Sequence, residues 1–196
     1  MNFKKIFFIL LFFNLQYANS FSIEPDVFVQ STVNRASTIL SKNISKSEKI
    51  NELKVIAKET VDIEGIGFYT LGNYRKDMNE EELSKYATLF EQYFLKSFSS
   101  RLAEYTNPEI SVNSKEVLSE NYTIVNSVLK GTADRPEVSI DWRIYTKNPN
   151  NPYIRDLIIE GLSLARTQKE EFASIINSNN GDFKVLFKTL EEFIKN

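Results

Sequence analysis

The sequence predicts an α+β fold: N-terminal helices, one long aromatic helix, a curved four-stranded antiparallel sheet beneath it, and two C-terminal helices. Three observations carry this. Apolar residues recur at helical spacing as far as Tyr105. After Pro108 the period drops to two, over four runs separated by turns. Helical spacing then returns for the last part of the chain. Helices, then a meander of strands, then helices argue for segregated layers around one core.

The first residues read as an export signal. Lys4 and Lys5 form a positive start, Ile6 to Phe13 an uninterrupted apolar run, and Ala18 and Ser20 small residues suited to cleavage after Ser20. The run is far shorter than the roughly 20 residues that span a bilayer. With no Cys near the cleavage point, a lipid-anchored form is excluded. Losing Lys4 and Lys5 moves the formal net charge from −2 to −4. The expected organisation is a signal peptide at 1–20 and one domain at 21–196, soluble and exported.

The next helix opens at Pro25, a residue suited to a first turn, and carries Phe28, Val29, Val33, Ala36, Ile39 and Leu40. A second follows a Ser45–Glu48 capping box, with Ile50, Leu53, Ala57 and Val61 on one face. "IEGIGFYTLGNYRKD" is less regular: Gly65 and Gly67 weaken a helix and Gly72-Asn73 ends it. The longest helix starts at Asn79. Glu80, Glu81 and Glu82 suit the positive end of its dipole, and Leu83, Tyr86, Ala87, Phe90, Phe94, Phe98, Leu102 and Tyr105 form its stripe. Leu89, Tyr93 and Leu95 widen that stripe.

Four strand-like runs follow, at 110–118, 121–130, 137–146 and 153–160. In the third, Val138, Ile140, Trp142 and Ile144 share a face, opposite Ser139, Asp141, Arg143 and Tyr145. Short turns imply antiparallel hairpins. A Thr167–Glu170 capping pattern precedes Phe172, Ile175 and Ile176. "NSNNGD" breaks the chain before the last helix, whose stripe is Phe183, Leu186, Phe187, Leu190 and Ile194.

Composition narrows the chemistry. The chain has 196 residues, 26% charged and 42% hydrophobic, with 15 Phe and 9 Tyr, which suits one globular domain. The acidic balance implies no nucleic-acid face. Without His or Cys there is no thiol nucleophile, no His-based triad and none of the commonest zinc ligands. No metal and no cofactor are implied. Gly65-x-Gly67 lacks the strand and Lys-Ser/Thr of a phosphate loop. Asp156 and Glu160 share a strand face, but their Cα atoms fall roughly 13 Å apart. Paired glycosidase carboxylates lie about 5–9.5 Å apart, so no catalytic residue emerges from that pair. The unusual feature is an apolar surplus: Phe68, Tyr69, Leu71, Tyr74, Phe90, Phe94, Phe98, Ile140, Trp142, Ile144 and Ile158. An ordinary core would use these residues. So would a cavity between the long helix and a curved sheet that holds an apolar ligand.

Three segments carry a resemblance. The first is "VDIEGIGFYTLGNYRKDMNEEELSKYATLFEQYFLKSFSSRLAEY", with Asp62, Leu71, Gly72 and Tyr74. The second is "YIRDLIIEGLSL", with Asp156, Glu160, Gly161 and Ser163. The third is the closing "EEFASIINSNNGDFKVLFKTL". In order and spacing they resemble the MlaC family, the toluene-tolerance proteins of Gram-negative bacteria. Tyr74-Arg75 and Pro152-Tyr153 stand where the family often has Trp. The resemblance implies a single phospholipid-carrier domain without catalytic residues. It would work in the periplasm, shuttling diacyl phospholipid to maintain outer-membrane lipid asymmetry. Implied partners are an inner-membrane ABC transporter complex with an MCE-domain protein and an outer-membrane lipoprotein–porin complex. It also implies a structural corner: Gly161 turns the chain, and Glu160 and Ser163 hydrogen-bond the turn's backbone.

Energetics agree with a carrier. Burying ~30 acyl methylenes from water at ~0.8 kcal/mol each gives a gross term of ~24 kcal/mol. That exceeds the practical affinity ceiling of about 18–21 kcal/mol. A carrier never starts from water, because its lipid comes from an already dry bilayer or protein. Its pocket need only match those surroundings within a few kcal/mol. The competing readings are an exported enzyme with Asp141 or Glu160 as base, and a lipoprotein chaperone or interaction module.

Overall fold

The computed structural model describes residues 22–133 and 135–196. The expected signal segment and its cleavage point lie outside them. The elements run α1 (Pro25–Ser41), α2 (Lys46–Thr60), α3 (Ile63–Leu71), a 3-10 turn (Gly72–Asp77) and α4 (Glu80–Leu102). Then come β1 (Ile110–Ser119), β2 (Tyr122–Leu129), β3 (Val138–Tyr145), β4 (Tyr153–Ile159) and β5 (Leu162–Ser163). The chain closes with α5 (Leu164–Asn177) and α6 (Lys184–Lys195).

The caps explain the boundaries. Ser45 with Glu48 and Asn79 with Glu82 form reciprocal capping boxes at α2 and α4. Asp62 caps α3 by accepting the Gly65 N–H at 2.9 Å. The start of α5 differs from expectation. Ser163 is its cap, accepting the Arg166 N–H at 3.1 Å, so the helix begins one turn before Thr167. The Thr167 hydroxyl instead donates back to the Ser163 carbonyl at 3.0 Å.

The sheet is an antiparallel meander in the order β1-β2-β3-β4-β5, five strands rather than the expected four. The fifth is two residues long. Ile159 pairs with Leu162 and Ile158 with Ser163, too short a run for a period of two to show in the sequence. Pairing of β3 with β4 slips between Arg143 and Ile144. Arg143 faces Asp156 and Ile144 faces Ile154, so Arg155 is the extra residue of a β-bulge, which bends the strand and raises its twist. At the outer edge of β4, Val61 forms a parallel bridge with Ile154, and the Asp62 N–H donates to the Ile154 carbonyl at 3.0 Å.

The main core runs through both layers, from Val29 and Leu71 through Tyr86 and Phe90 to Val125, Ile144 and Leu186. A smaller cluster of Ile39, Leu40, Leu53 and Ile56 joins α1 to α2. Helices α1, α3 and α5 touch the sheet directly, whereas α4 packs on α2, α3 and α6. The long helix therefore faces the sheet with a space between them.

Candidate functional site

That space is a cavity of about 280 Å³. Helix α4 supplies two adjacent rows of side chains to its wall. Phe90, Phe94 and Phe98 form one, and Tyr93, Ser97 and Arg101 the other, each at four-residue spacing. The sheet supplies Trp142, Ile154 and Leu157. Val61 and Ile66 enter from the α2–α3 junction, and Leu164, Ala165, Thr167, Gln168 and Glu171 from the start of α5. Val61, Ile66, Phe90, Trp142, Ile154 and Ala165 are buried and form the closed end. Arg101, Leu164 and Glu171 are exposed and mark the mouth.

Hydrogen bonds hold the polar wall groups. The Trp142 indole donates to the Ser127 hydroxyl at 2.8 Å, and that hydroxyl donates to the Ile140 carbonyl at 2.9 Å. The indole ring is thereby fixed with its apolar surface available. The Tyr93 phenol donates to Gln168 Oε1 at 2.7 Å, joining α4 to α5. Burial, then the Glu171 charge, push its pKa above the usual value against the opposing charge of Arg101. Asp156, 4% exposed, is the buried carboxylate of the wall. Its Oδ1 accepts the Ala165 N–H at 3.0 Å and its Oδ2 the Ser163 hydroxyl at 2.6 Å, with Arg143 at 3.5 Å. A buried charge so bonded anchors α5 to β4.

The expected lining residues divide. Phe90, Phe94, Phe98 and Trp142 meet at the cavity. Phe68, Leu71, Tyr74, Ile140, Ile144 and Ile158 lie away from it. Leu71 and Ile144 are fully buried core, and Ile140 is core beside them. Phe68 packs against the core with Arg75 over its ring. Tyr74 donates to Asn177 at 2.5 Å. Ile158 pairs with Asp141, one register step from the Trp142 face. Sequence reasoning missed Val61, Ile66, Tyr93, Arg101, Ile154 and Leu157. Tyr93 and Arg101 were traceable in principle, because the row at 93, 97 and 101 runs beside the Phe row.

The corner departs from expectation in detail. Glu160 and Gly161 have φ of +49° and +80° and form the two-residue turn of the β4–β5 hairpin. This is the pairing of positive φ values that the right-handed twist favours. No atom lies within 4 Å of where a Gly161 Cβ would stand, so the requirement is conformational rather than a clash. Glu160 bonds β3: its carboxylate accepts the Ser139 N–H, and its own N–H donates to the Ser139 carbonyl at 3.1 Å. Ser163 serves α5 and Asp156. Neither Glu160 nor Asp141 lines the cavity.

Two further hollows lie among the described residues. The larger, about 790 Å³, is an open groove between α1 and α2. Gln30, Asn34, Arg35, Thr38 and Glu52 line it together with Val27, Ile39, Val55 and Ile56, and it lies open to solvent rather than enclosing a ligand. A hollow of about 360 Å³ lies behind the shared wall of Ile66, Asp156 and Ala165 and is lined by Tyr69, Tyr122, Arg143 and Arg155. There the Arg155 guanidinium donates to Asp62 at 2.6 Å and to the Tyr122 hydroxyl at 2.9 Å, over the Tyr145 ring at 3.8 Å.

The MlaC protein of the intermembrane phospholipid transport system of Haemophilus influenzae is 23% identical over 166 residues. The match covers 81% of this chain and 77% of that one. A solved phospholipid-binding protein from Ralstonia solanacearum, described as being in complex with a phospholipid, superimposes with a TM-score of 0.73 at 19% identity. It covers 88% of this chain and 98% of the other, and it shows the shared fold. The family model of the MlaC protein matches residues 30–192, which takes in every described helix and strand except the first turn of α1 and the last of α6. The chain belongs to the MlaC family.

Proposed function

We propose that this protein is a periplasmic phospholipid carrier, exchanging diacyl lipid between membrane-bound complexes without catalysing a reaction. One observation carries the reading: an aromatic-walled cavity between α4, α5 and the sheet, with Arg101 and Glu171 at the mouth and the buried Asp156 carboxylate satisfied in the wall. Family membership and the lipid-complexed relative support it. Ligand pockets generally measure about 300–1,000 Å³, and this one, at about 280 Å³, falls just below that range. A two-chain lipid therefore enters by parting the walls. Phe94 and Phe98, half-buried and stacked at 5.3 Å, are the lining groups with room to turn.

The finer reading includes cleavage after Ser20. It also includes partners on each membrane: an ABC transporter complex with an MCE-domain protein inside, and a lipoprotein–porin complex outside. No carboxylate acts as a base. The decisive experiment is native mass spectrometry of the purified mature protein, followed by organic extraction. Near-stoichiometric diacyl phospholipid is expected. Folded protein that repeatedly carries none, and takes none from vesicles, rejects the carrier reading.

A further inference from the structure

The mouth of the cavity holds two opposite charges that do not satisfy each other. Arg101 on α4 and Glu171 on α5 line the same opening, and both are exposed. Among the described residues the Arg101 guanidinium makes no hydrogen bond, ion pair or ring contact, and the Glu171 carboxylate receives only the Gln168 amide of its own helix, at 2.9 Å. The two do not approach within the 4.0 Å of an ion pair. Both line the cavity beside Tyr93, and both charges act on its phenol with opposite signs. The third charge on the wall, Asp156, is saturated by Ala165 and Ser163.

Two opposite charges held apart across an opening suit a ligand that carries both signs. A phospholipid with its tails in the cavity has its headgroup at this opening. We propose that Arg101 and Glu171 form a headgroup subsite for phosphoethanolamine lipids, Arg101 meeting the phosphate and Glu171 the primary ammonium. The inference rests on the carrier reading and adds a headgroup class to it. A guanidinium donates in parallel to phosphate oxygens, and a primary ammonium donates to a carboxylate. A glycerol headgroup offers Arg101 the same phosphate but gives Glu171 no cation. Both residues are exposed, so the selectivity is modest, about two- to five-fold, as for solvated ion pairs, and it shrinks as salt rises.

Delipidated full-length mature protein is incubated with vesicles of dioleoyl phosphatidylethanolamine and dioleoyl phosphatidylglycerol in equal parts, with a minor share of dioleoylglycerol. It is then re-isolated and its lipid quantified. Wild type is expected to enrich phosphatidylethanolamine over phosphatidylglycerol about two- to five-fold. Glu171→Gln brings that ratio towards one. Arg101→Gln lowers both phospholipids relative to dioleoylglycerol. Melting curves confirm that each variant is folded, as expected for exposed side chains of which only Glu171 has a partner, Gln168 one turn away. Uptake of all three lipids in vesicle proportions by wild type and by both variants overturns the subsite while leaving the carrier intact. A wild-type protein that takes up no lipid of any kind overturns both.

Discussion

Glu160 and Gly161, at φ of +49° and +80°, reverse the chain in two residues and set α5 down beside β4. Left-handed backbone at a residue with a Cβ costs about 1–3 kcal/mol. Gly161→Val should therefore lower stability by an amount in that range. Because nothing crowds the site, the cost is torsional, and Gly161→Asn should recover most of it. Equal melting temperatures for the Val variant and wild type would sink this account. Gly67 is constrained differently: a Cβ there would stand 2.7 Å from Phe90 Cδ1. Gly67→Ala forces the Phe90 ring towards the cavity, and overpacking of this kind costs about 1–3 kcal/mol. Chemical denaturation measures the loss, and bound lipid per protein should fall with it.

Helix α4 carries the site, and its two rows of lining residues behave differently from an ordinary buried stripe. Phe90 is 2% exposed, and Phe90→Ala should cost about 3–5 kcal/mol. Phe94 is half-buried against the cavity, so Phe94→Ala should cost distinctly less while changing lipid content. Losses of equal size would place Phe94 in solid core. On the opposite wall, Leu157→Trp fills space rather than removing it. The variant should stay folded and lose lipid uptake, and normal uptake by it would move the cavity elsewhere. Periodicity made α4 and β3 legible, because burial recurs at helical spacing along the one and alternates along the other. Trp142 and the Phe row were legible for the same reason. What stayed hidden depends on contacts between distant segments. Val61 reaches the cavity only because it bridges Ile154. Leu157 shares the Trp142 face only because the bulge at Arg155 shifts the register of β4 by one residue. Ile144 and Leu71 looked like lining residues because buried core and apolar cavity wall draw on the same side chains.

The molecule as a whole has a pH limit written into its packing. Tyr86 is fully buried. Its phenol bonds the Thr70 hydroxyl at 2.7 Å, and that hydroxyl donates to the Gly67 carbonyl at 2.6 Å. Burial raises the Tyr86 pKa well above the ordinary tyrosine value. The folded state therefore holds this proton more tightly than the unfolded chain does. The associated stability is intact below about pH 10, where an unfolded tyrosine titrates, and is lost as pH rises towards the folded value. Urea midpoints should fall above that pH, and less steeply in Tyr86→Phe. An unchanged slope in the variant would assign the alkaline loss to other groups.

The space between α4 and the sheet also has a mechanical consequence. Unfolding eliminates internal voids, so folded proteins yield to hydrostatic pressure, with volume changes of about −20 to −100 mL/mol that grow with the void removed. Without lipid the protein keeps a hollow of about 280 Å³, open at its mouth but too apolar at its closed end to hold water firmly. Acyl chains would occupy that hollow in loaded protein and leave little volume to recover. Pressure should therefore separate the two forms more sharply than heat, with delipidated protein unfolding at the lower pressure. A carrier of this construction is compressible when discharged and stiff when charged.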